Sequence, residues 1–334
     1  MVRALACCLG LVTAALLGCD KPPEPGGSSG DGPARTSATP TTTAQAPPSA
    51  VEPASDLPAE WRLPLGWRWL TATKLGFTVA FPGLPTLDPQ PPGGQRLVAR
   101  SDRVECAVGV APERDEVPRY RREIARQGWT ILADRAVAGG TEAIDATNGR
   151  LTTHTRLVPA GARTFVVTFT TAQGDDADAS TFLDSFRPSA VLESRTLRFG
   201  PGGFTVAAPA RMSEWQERSA DPPLRGLAGL VDGAQLSAAF ADVGTAAAGA
   251  AREFLEHGLA ASLGELGGAT VARDAAPFRG HPSIRIEHRG ANGVYITRRV
   301  LLAGERFYDV AVYAPNGTKP PWADAFVDSL VVGR

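Results

Sequence analysis

Cysteine is scarce in this chain of 334 residues. There are four, and Cys7, Cys8 and Cys19 all fall in the opening segment, which leaves Cys106 alone in the remainder. Once that opening segment is removed or modified, no intramolecular disulfide can form. An exported domain of this kind must then be held by its core, for which about 130 residues suffice. An excess of charge of either sign is also missing: Lys plus Arg number 34 and Asp plus Glu 35. That balance excludes the nucleic-acid binders, whose affinity depends on clustered positive charge. Apart from one run near the start, no apolar stretch approaches the roughly 20 residues of a membrane-spanning helix. A chain of this length ordinarily holds about two domains.

The exceptional run opens the chain. Arg3 supplies a positive start, and Ala4 to Gly18 is apolar, broken only by the small Thr13. It is too short to span and reads as an export signal. It ends in Leu16-Leu17-Gly18-Cys19. This resembles the bacterial lipobox, in which a Leu and small residues precede an obligatory Cys; Leu17 stands where a smaller residue is more usual. The resemblance implies that residues 1–19 are a lipoprotein signal peptide, that Cys19 carries diacylglycerol, and that cleavage precedes Cys19. Two or three acyl chains, at roughly 0.8 kcal/mol per buried methylene, make a stable anchor where one does not. The expected address is the bacterial cell envelope, lipid-anchored and facing the periplasm or the exterior, with membrane lipid as the first partner. An ordinary secretory signal cut near Gly18 remains as the alternative.

Residues 20–60 are rich in Pro, Gly, Ser, Thr and Ala, as in Pro22-Pro23-Glu24-Pro25-Gly26-Gly27 and Pro40-Thr41-Thr42-Thr43. Such composition buries too little apolar area to offset chain entropy, so a disordered tether is expected. As a flexible coil its reach is on the order of 35 Å.

The rest of the chain is expected to be a duplication, 61–189 followed by 190–334. Gly76-Phe77-Thr78-Val79-Ala80-Phe81-Pro82 recurs as Gly203-Phe204-Thr205-Val206-Ala207-Ala208-Pro209. In the same order, Asp134, Gly140 and Ile144 parallel Asp274, Gly280 and Ile284, and Asn148-Gly149 parallels Asn292-Gly293. Phe165, Val167 and Phe169 parallel Tyr308, Val310 and Val312, and Phe182-Leu183-Asp184-Ser185-Phe186 parallels Phe326-Val327-Asp328-Ser329-Leu330. Each copy reads as an opening strand, then a second strand exemplified by the period-two face of Val104, Cys106, Val108 and Val110. A central helix follows, starting near Pro118 in copy one and capped by Thr245 in copy two. Three strands are then expected, near 130–147, 150–158 and 163–171 in copy one, and a short closing helix.

This order predicts an α+β fold of two tandem domains, each an antiparallel sheet covered by helices. The opening Gly-Phe-Thr-Val-Ala-x-Pro strand, the central helix, the meander and the closing Phe-x-Asp-Ser helix resemble the PsbP-like superfamily. The resemblance implies a three-layer sandwich over both copies and binding or assembly roles, mostly without catalysis.

No catalytic or metal motif emerges. His154 shares a strand face with Thr152 and Arg156, expected to be solvent-facing, and its counterpart in copy two is read as Arg298. His257 lies on a polar helix face, His281 in a Gly280-His281-Pro282 turn, and His288 on the parity of Ile284 and Ile286. None has metal-ligand spacing. The acidic run Asp175-Asp176-Ala177-Asp178 fails as an EF-hand loop, because Thr181 and Arg187 stand where Gly and Glu are required. Cys106 reads as a small buried hydrophobe. The Arg-rich helix face of Arg119, Arg122 and Arg126 reads as solvated. Trp61, Trp67 and Trp69 are either core or, if exposed, a contact site.

The resulting expectation is a lipid-anchored, non-catalytic envelope protein. Its two domains bind an envelope protein or a small ligand, with no cofactor, no metal and no nucleic acid. The alternative is an envelope hydrolase, which a Ser and an Asp set against His154 or His288 would revive.

Overall fold

The computed structural model describes residues 56–333, apart from 91–93, 102, 112–115, 173–175 and 219. The signal peptide, Cys19, the tether up to residue 55 and Asp175 lie outside the described residues.

The first repeat opens with a hairpin of β1 (Arg68–Ala72) and β2 (Phe77–Phe81). Next come β3 (Thr86–Gln90), β4 (Gly94–Arg100), β5 (Val104–Ala111) and helix α1 (Glu116–Arg126). β6 (Thr130–Val137), β7 (Thr141–Thr147), β8 (Leu151–Ala160), β9 (Arg163–Ala172) and α2 (Ala179–Ser185) complete it. The second repeat has hairpin β10 (Arg195–Phe199) and β11 (Phe204–Ala208), then β12 (Ser213–Glu217), β13 (Leu224–Val231) and β14 (Ala234–Asp242). Helices α3 (Thr245–Gly249) and α4 (Ala251–Leu266) follow, then β15 (Ala269–Asp274), β16 (Ser283–Arg289), β17 (Tyr295–Ala303) and β18 (Arg306–Ala314). It closes with α5 (Ala323–Val327) and β19 (Val331–Val332).

The strand order is the same twice. The first sheet runs β3-β4-β5-β9-β8-β7-β6. The second contains β15-β16-β17-β18-β14-β13, with β12 paired to β13. Each central helix carries the chain from the inner strand to the far edge, and a meander returns it.

The expected helix-covered α+β sandwich is not what forms. Of the described residues 49% are strand and 19% helix. The reason is local. Phe77, Val79 and Phe81 alternate at period two and extend as a strand, so the layer over one face of the first sheet is a hairpin with only a short helix, α2, beside it. Only the opposite face meets a helix of more than two turns, through Val117, Tyr120 and Ile124. The expected strand near 130–147 is likewise two strands, β6 and β7, because Gly139 and Gly140 take φ of +75° and turn the chain there. The strands β1, β3 and β4 were not anticipated. Register also moves one match: Ile144 opposes Thr155 and Ile286 opposes Arg298, so Ile144 corresponds to Ile286, two residues beyond Ile284.

The repeated Phe-x-Asp-Ser motif has the same task in each copy. Phe182 and Phe326 enter the core. Asp184 pairs with Arg156 at 2.5 Å, and Asp328 with Arg299 at 2.7 Å. Ser185 Oγ accepts the Ala80 amide at 2.9 Å and donates to Phe182 O at 2.7 Å. Ser329 Oγ accepts the Ala207 amide at 2.8 Å and donates to Phe326 O at 2.6 Å. One hydroxyl thus pins the closing helix to the hairpin. Ser329→Ala leaves the Ala207 amide without that acceptor. It is expected to lower stability by about 1–3 kcal/mol, measured as a shift of the urea midpoint, with Ser185→Ala giving a similar loss.

The repeats are joined by more than chain. β1 pairs in parallel with β13, Leu70 to Leu230 and Thr71 to Val231, so the opening hairpin of repeat one extends the sheet of repeat two. Asp232 takes a φ of +49° in the turn with Gly233 and accepts the Thr73 amide at 2.7 Å. The segment expected to be tether as far as residue 60 also contributes. Leu57 and Trp61 are buried in the core of repeat two, although Leu57 precedes repeat one in sequence and Trp61 opens it.

Candidate functional site

A cavity of about 870 Å³ opens on the hairpin side of repeat two. This volume falls in the range of small-molecule sites. Three elements shape it: the β11–β19 pair, the ends of β17 and β18, and the turn before β16. Phe204, Phe278, Leu301, Tyr308, Leu330 and Val332 give it an apolar wall, and Arg198, Arg279, Arg306 and His281 its polar side. Among the described residues no carboxylate lines it.

The cations differ in how far they are already matched. Arg306 Nε donates to Asp242 at 2.8 Å. Burial depresses its pKa, and the hydrogen bond and attraction of Asp242 outweigh this, holding it above the ordinary value. Arg198 approaches Asp56 only at 3.9 Å, with both side chains largely exposed. Arg279 lies over the Phe278 ring at 5.1 Å and reaches the Asp328 carbonyl at 3.4 Å, a contact with no charge to neutralise it. Tyr308 OH is engaged by Gly202 O at 2.9 Å.

Arg279 is held there by its backbone. Phe278 and His281 exchange amide–carbonyl bonds of 2.9 and 3.0 Å, closing a two-residue turn in which Arg279 has φ +52° and Gly280 φ +83°. Such a turn favours Asn or Gly at its first central position. Arg there is uncommon, and a non-glycine residue in this region is a marker worth following.

At the corresponding place in the first repeat, aromatic rings pack together. Phe77, Phe165 and Phe186 pack against one another with centroids 5.3–5.8 Å apart. The corresponding residues of repeat two are Phe204, Tyr308 and Leu330. Leu330 stands in place of the third ring, and Val331 replaces Arg187, whose guanidinium donates to the Phe186 carbonyl at 2.8 Å.

The histidines singled out in sequence fall in separate places. His154 is half-buried rather than solvent-facing: Nδ1 lies 3.0 Å from Asp145, which also holds Arg135, and Nε2 lies 3.2 Å from Asp176. Partial burial alone would push the Asp145 carboxyl up, but Arg135 and His154 hold it below the usual range. Register makes Thr297 the counterpart of His154, and Thr155 that of Arg298, because Val158 opposes Phe165 as Leu301 opposes Tyr308. His288 is buried and meets Gly267 O at 2.7 Å. Its other nitrogen lies 3.4 Å from Thr270 Oγ1. His257 is exposed. His281 alone enters the cavity. Among the described residues, neither His154 nor His288 hydrogen-bonds the serine that a hydrolase triad requires. Among the described residues, no three His, Cys, Asp or Glu side chains are placed to hold a metal ion.

Cys106 is buried in the first core. Burial, with added repulsion from Asp178 and Glu105, pushes its thiol up to about 12, so the reactive thiolate is negligible at neutral pH. Trp61, Trp67 and Trp69 are all buried. The Arg211 guanidinium lies over both Trp61 and Trp69, 5.8 and 5.0 Å from their centroids. On the polar helix face, Arg126 pairs with Glu123 at 2.7 Å.

Sequence reasoning passed over the cavity. Its one visible sign was the replacement of Phe186 by Leu330 at the end of an otherwise matched motif, together with Arg279 before the turn glycine.

No known family profile matches the chain, and no curated protein matches it. A solved Bacteroides thetaiotaomicron protein is similar at 11% identity and a TM-score of 0.27, over 40% of this chain and 53% of that one, so the chain spans about half its length. The T6SS immunity protein TplEi from Pseudomonas aeruginosa, solved with a peptide, is similar at 12% identity and a TM-score of 0.24, over 80% of this chain and 98% of that one. At these scores neither likeness carries an argument about fold or function.

Proposed function

We propose that this is a lipid-anchored bacterial envelope protein, tethered through Cys19, that binds a small ligand in the cavity of repeat two without catalysis. The observation that carries the reading is that cavity: large, walled by apolar side chains and edged by arginines. Repeat one then serves as a platform, because its hairpin and the segment from Leu57 to Trp61 are built into repeat two. Kinship with the PsbP-like superfamily is part of the same proposal and rests on the sequence motifs alone.

Two measurements test it. Cells producing the full chain and its Cys19→Ala variant are labelled with palmitate and fractionated. The expected result is label and membrane association in the first and neither in the second; association that survives the substitution overturns the anchor. The purified full chain is then examined by mass spectrometry for co-purifying small molecules, with Leu330→Phe as the comparison. A molecule retained by the parent and absent from the variant supports the cavity. An identical profile in both overturns it.

A further inference from the structure

We propose that the cavity of repeat two takes an anionic amphiphile: one carboxylate or phosphate head met by Arg279 and Arg306, and an apolar body laid against Phe278, Leu301, Leu330 and Val332. This rests on the reading of the cavity as a binding site and adds the chemistry of what enters it.

Three observations converge. The lining separates into an apolar side and a cationic side, on which Arg306 already pairs with Asp242 while Arg279 meets no carboxylate among the described residues. A ligand of one character alone would leave the other side of the wall unmatched. An inorganic anion would leave the half-buried Phe278 and Val332 uncovered, and a neutral hydrocarbon would leave the exposed Arg279, which reaches only the Asp328 carbonyl, without an anionic partner. Second, Arg279 occupies a left-handed backbone position that a smaller residue would fill with less strain, so its long cationic side chain is retained against the local preference. The guanidinium geometry suits carboxylate and phosphate alike, with two parallel donors. Third, Leu330 stands where Phe186 completes a three-ring cluster in repeat one, and it borders the cavity on its apolar side.

The head group has two sources, a free amphiphile or a membrane phospholipid, and the experiment separates them. Dodecanoate, dodecyl phosphate, inorganic phosphate and the neutral dodecyl maltoside are titrated calorimetrically, below their micelle concentrations, into the full chain carrying Cys19→Ala, so that the anchor contributes nothing. The expected result is binding of both anionic amphiphiles, at least tenfold tighter than dodecyl maltoside or inorganic phosphate, weakening as salt rises. Arg279→Asn suits the turn, so stability should hold or rise, while affinity for the anionic amphiphiles falls about tenfold and that for dodecyl maltoside is unchanged. Leu330→Phe should abolish binding of every amphiphile; since it adds volume to a core, its folding is checked by circular dichroism, and Arg279→Asn carries the test if it fails. Sedimentation with phosphatidylglycerol vesicles, lost in Arg279→Asn and absent with phosphatidylcholine, assigns the head to a membrane phospholipid. Binding of the free amphiphiles alone assigns it to a soluble one; both support the proposal. Dodecyl maltoside binding as tightly as dodecanoate, or inorganic phosphate binding as tightly as dodecyl phosphate, overturns it. So does failure of every amphiphile to bind, and if Leu330→Phe still strips a co-purifying molecule, the cavity reading survives that failure.

Discussion

Arg298→Ala is expected to lower the unfolding free energy by about 3–5 kcal/mol, the characteristic cost of leaving one member of a buried ion pair without its partner. The Arg298 and Asp309 side chains are 2% and 1% exposed, beneath α4. Two parallel bonds of 2.8 and 2.7 Å join them, and the remaining guanidinium nitrogen donates to Ser262 Oγ at 2.8 Å. Burial on its own would favour loss of the guanidinium proton; the attraction of Asp309 outweighs it and holds the Arg298 pKa above its ordinary value. The charge therefore persists at any working pH, and removing Arg298 strands a carboxylate. The fold itself does not demand the pair, because register places Thr155 and Val166 at the same sheet positions in repeat one. Replacing both partners by apolar residues, Arg298→Met with Asp309→Leu, should accordingly recover most of the loss or exceed the parent. Urea unfolding of the single and double variants decides it. A double variant as unstable as the single one would mean that packing volume, not the stranded charge, sets the cost.

The second large effect is expected at Trp61. Its side chain is 0% exposed. It packs with Leu57 into the core of repeat two beneath β10 and β11. Arg195 and Arg211 lie over its ring at 5.2 and 5.8 Å, and its carbonyl accepts Trp69 Nε1 at 2.9 Å. Trp61→Ala should cost about 3–5 kcal/mol, as large-to-small changes at buried aromatic positions do. The position of the damage is the sharper prediction. Hydrogen exchange should accelerate in β10 and β11, more than 130 residues away in sequence, before it does in the β5–β9 centre of repeat one. Trp61→Phe should retain most of the stability, since the indole nitrogen is buried with no hydrogen-bond partner among the described residues. Acceleration confined to repeat one would refute the coupling.

Much of this was legible in the residues. The two Gly-Phe-Thr-Val-Ala strands and the two Phe-x-Asp-Ser motifs are local patterns, and local patterns survive in a linear reading because backbone period and side-chain spacing are set by neighbours. Cys106 alternates with valines and is buried as that alternation requires. Other features failed for equally physical reasons. The stretch 130–147 has strand-forming residues throughout, and only the left-handed conformation of Gly139 and Gly140 divides it. The match of His154 to Arg298 missed by one place, and in a strand one place exchanges the two faces of the sheet.

The paired strand motifs, the pinning motifs and the burial of Cys106 thus follow from residues close together in the chain, whose contacts recur at fixed short spacings. The cavity, the Arg298–Asp309 pair and the burial of Trp61 in the far repeat depend on strands brought together across long separations. Which side chains oppose one another there is set by register and by the volume left between layers, and neither is written in any one segment.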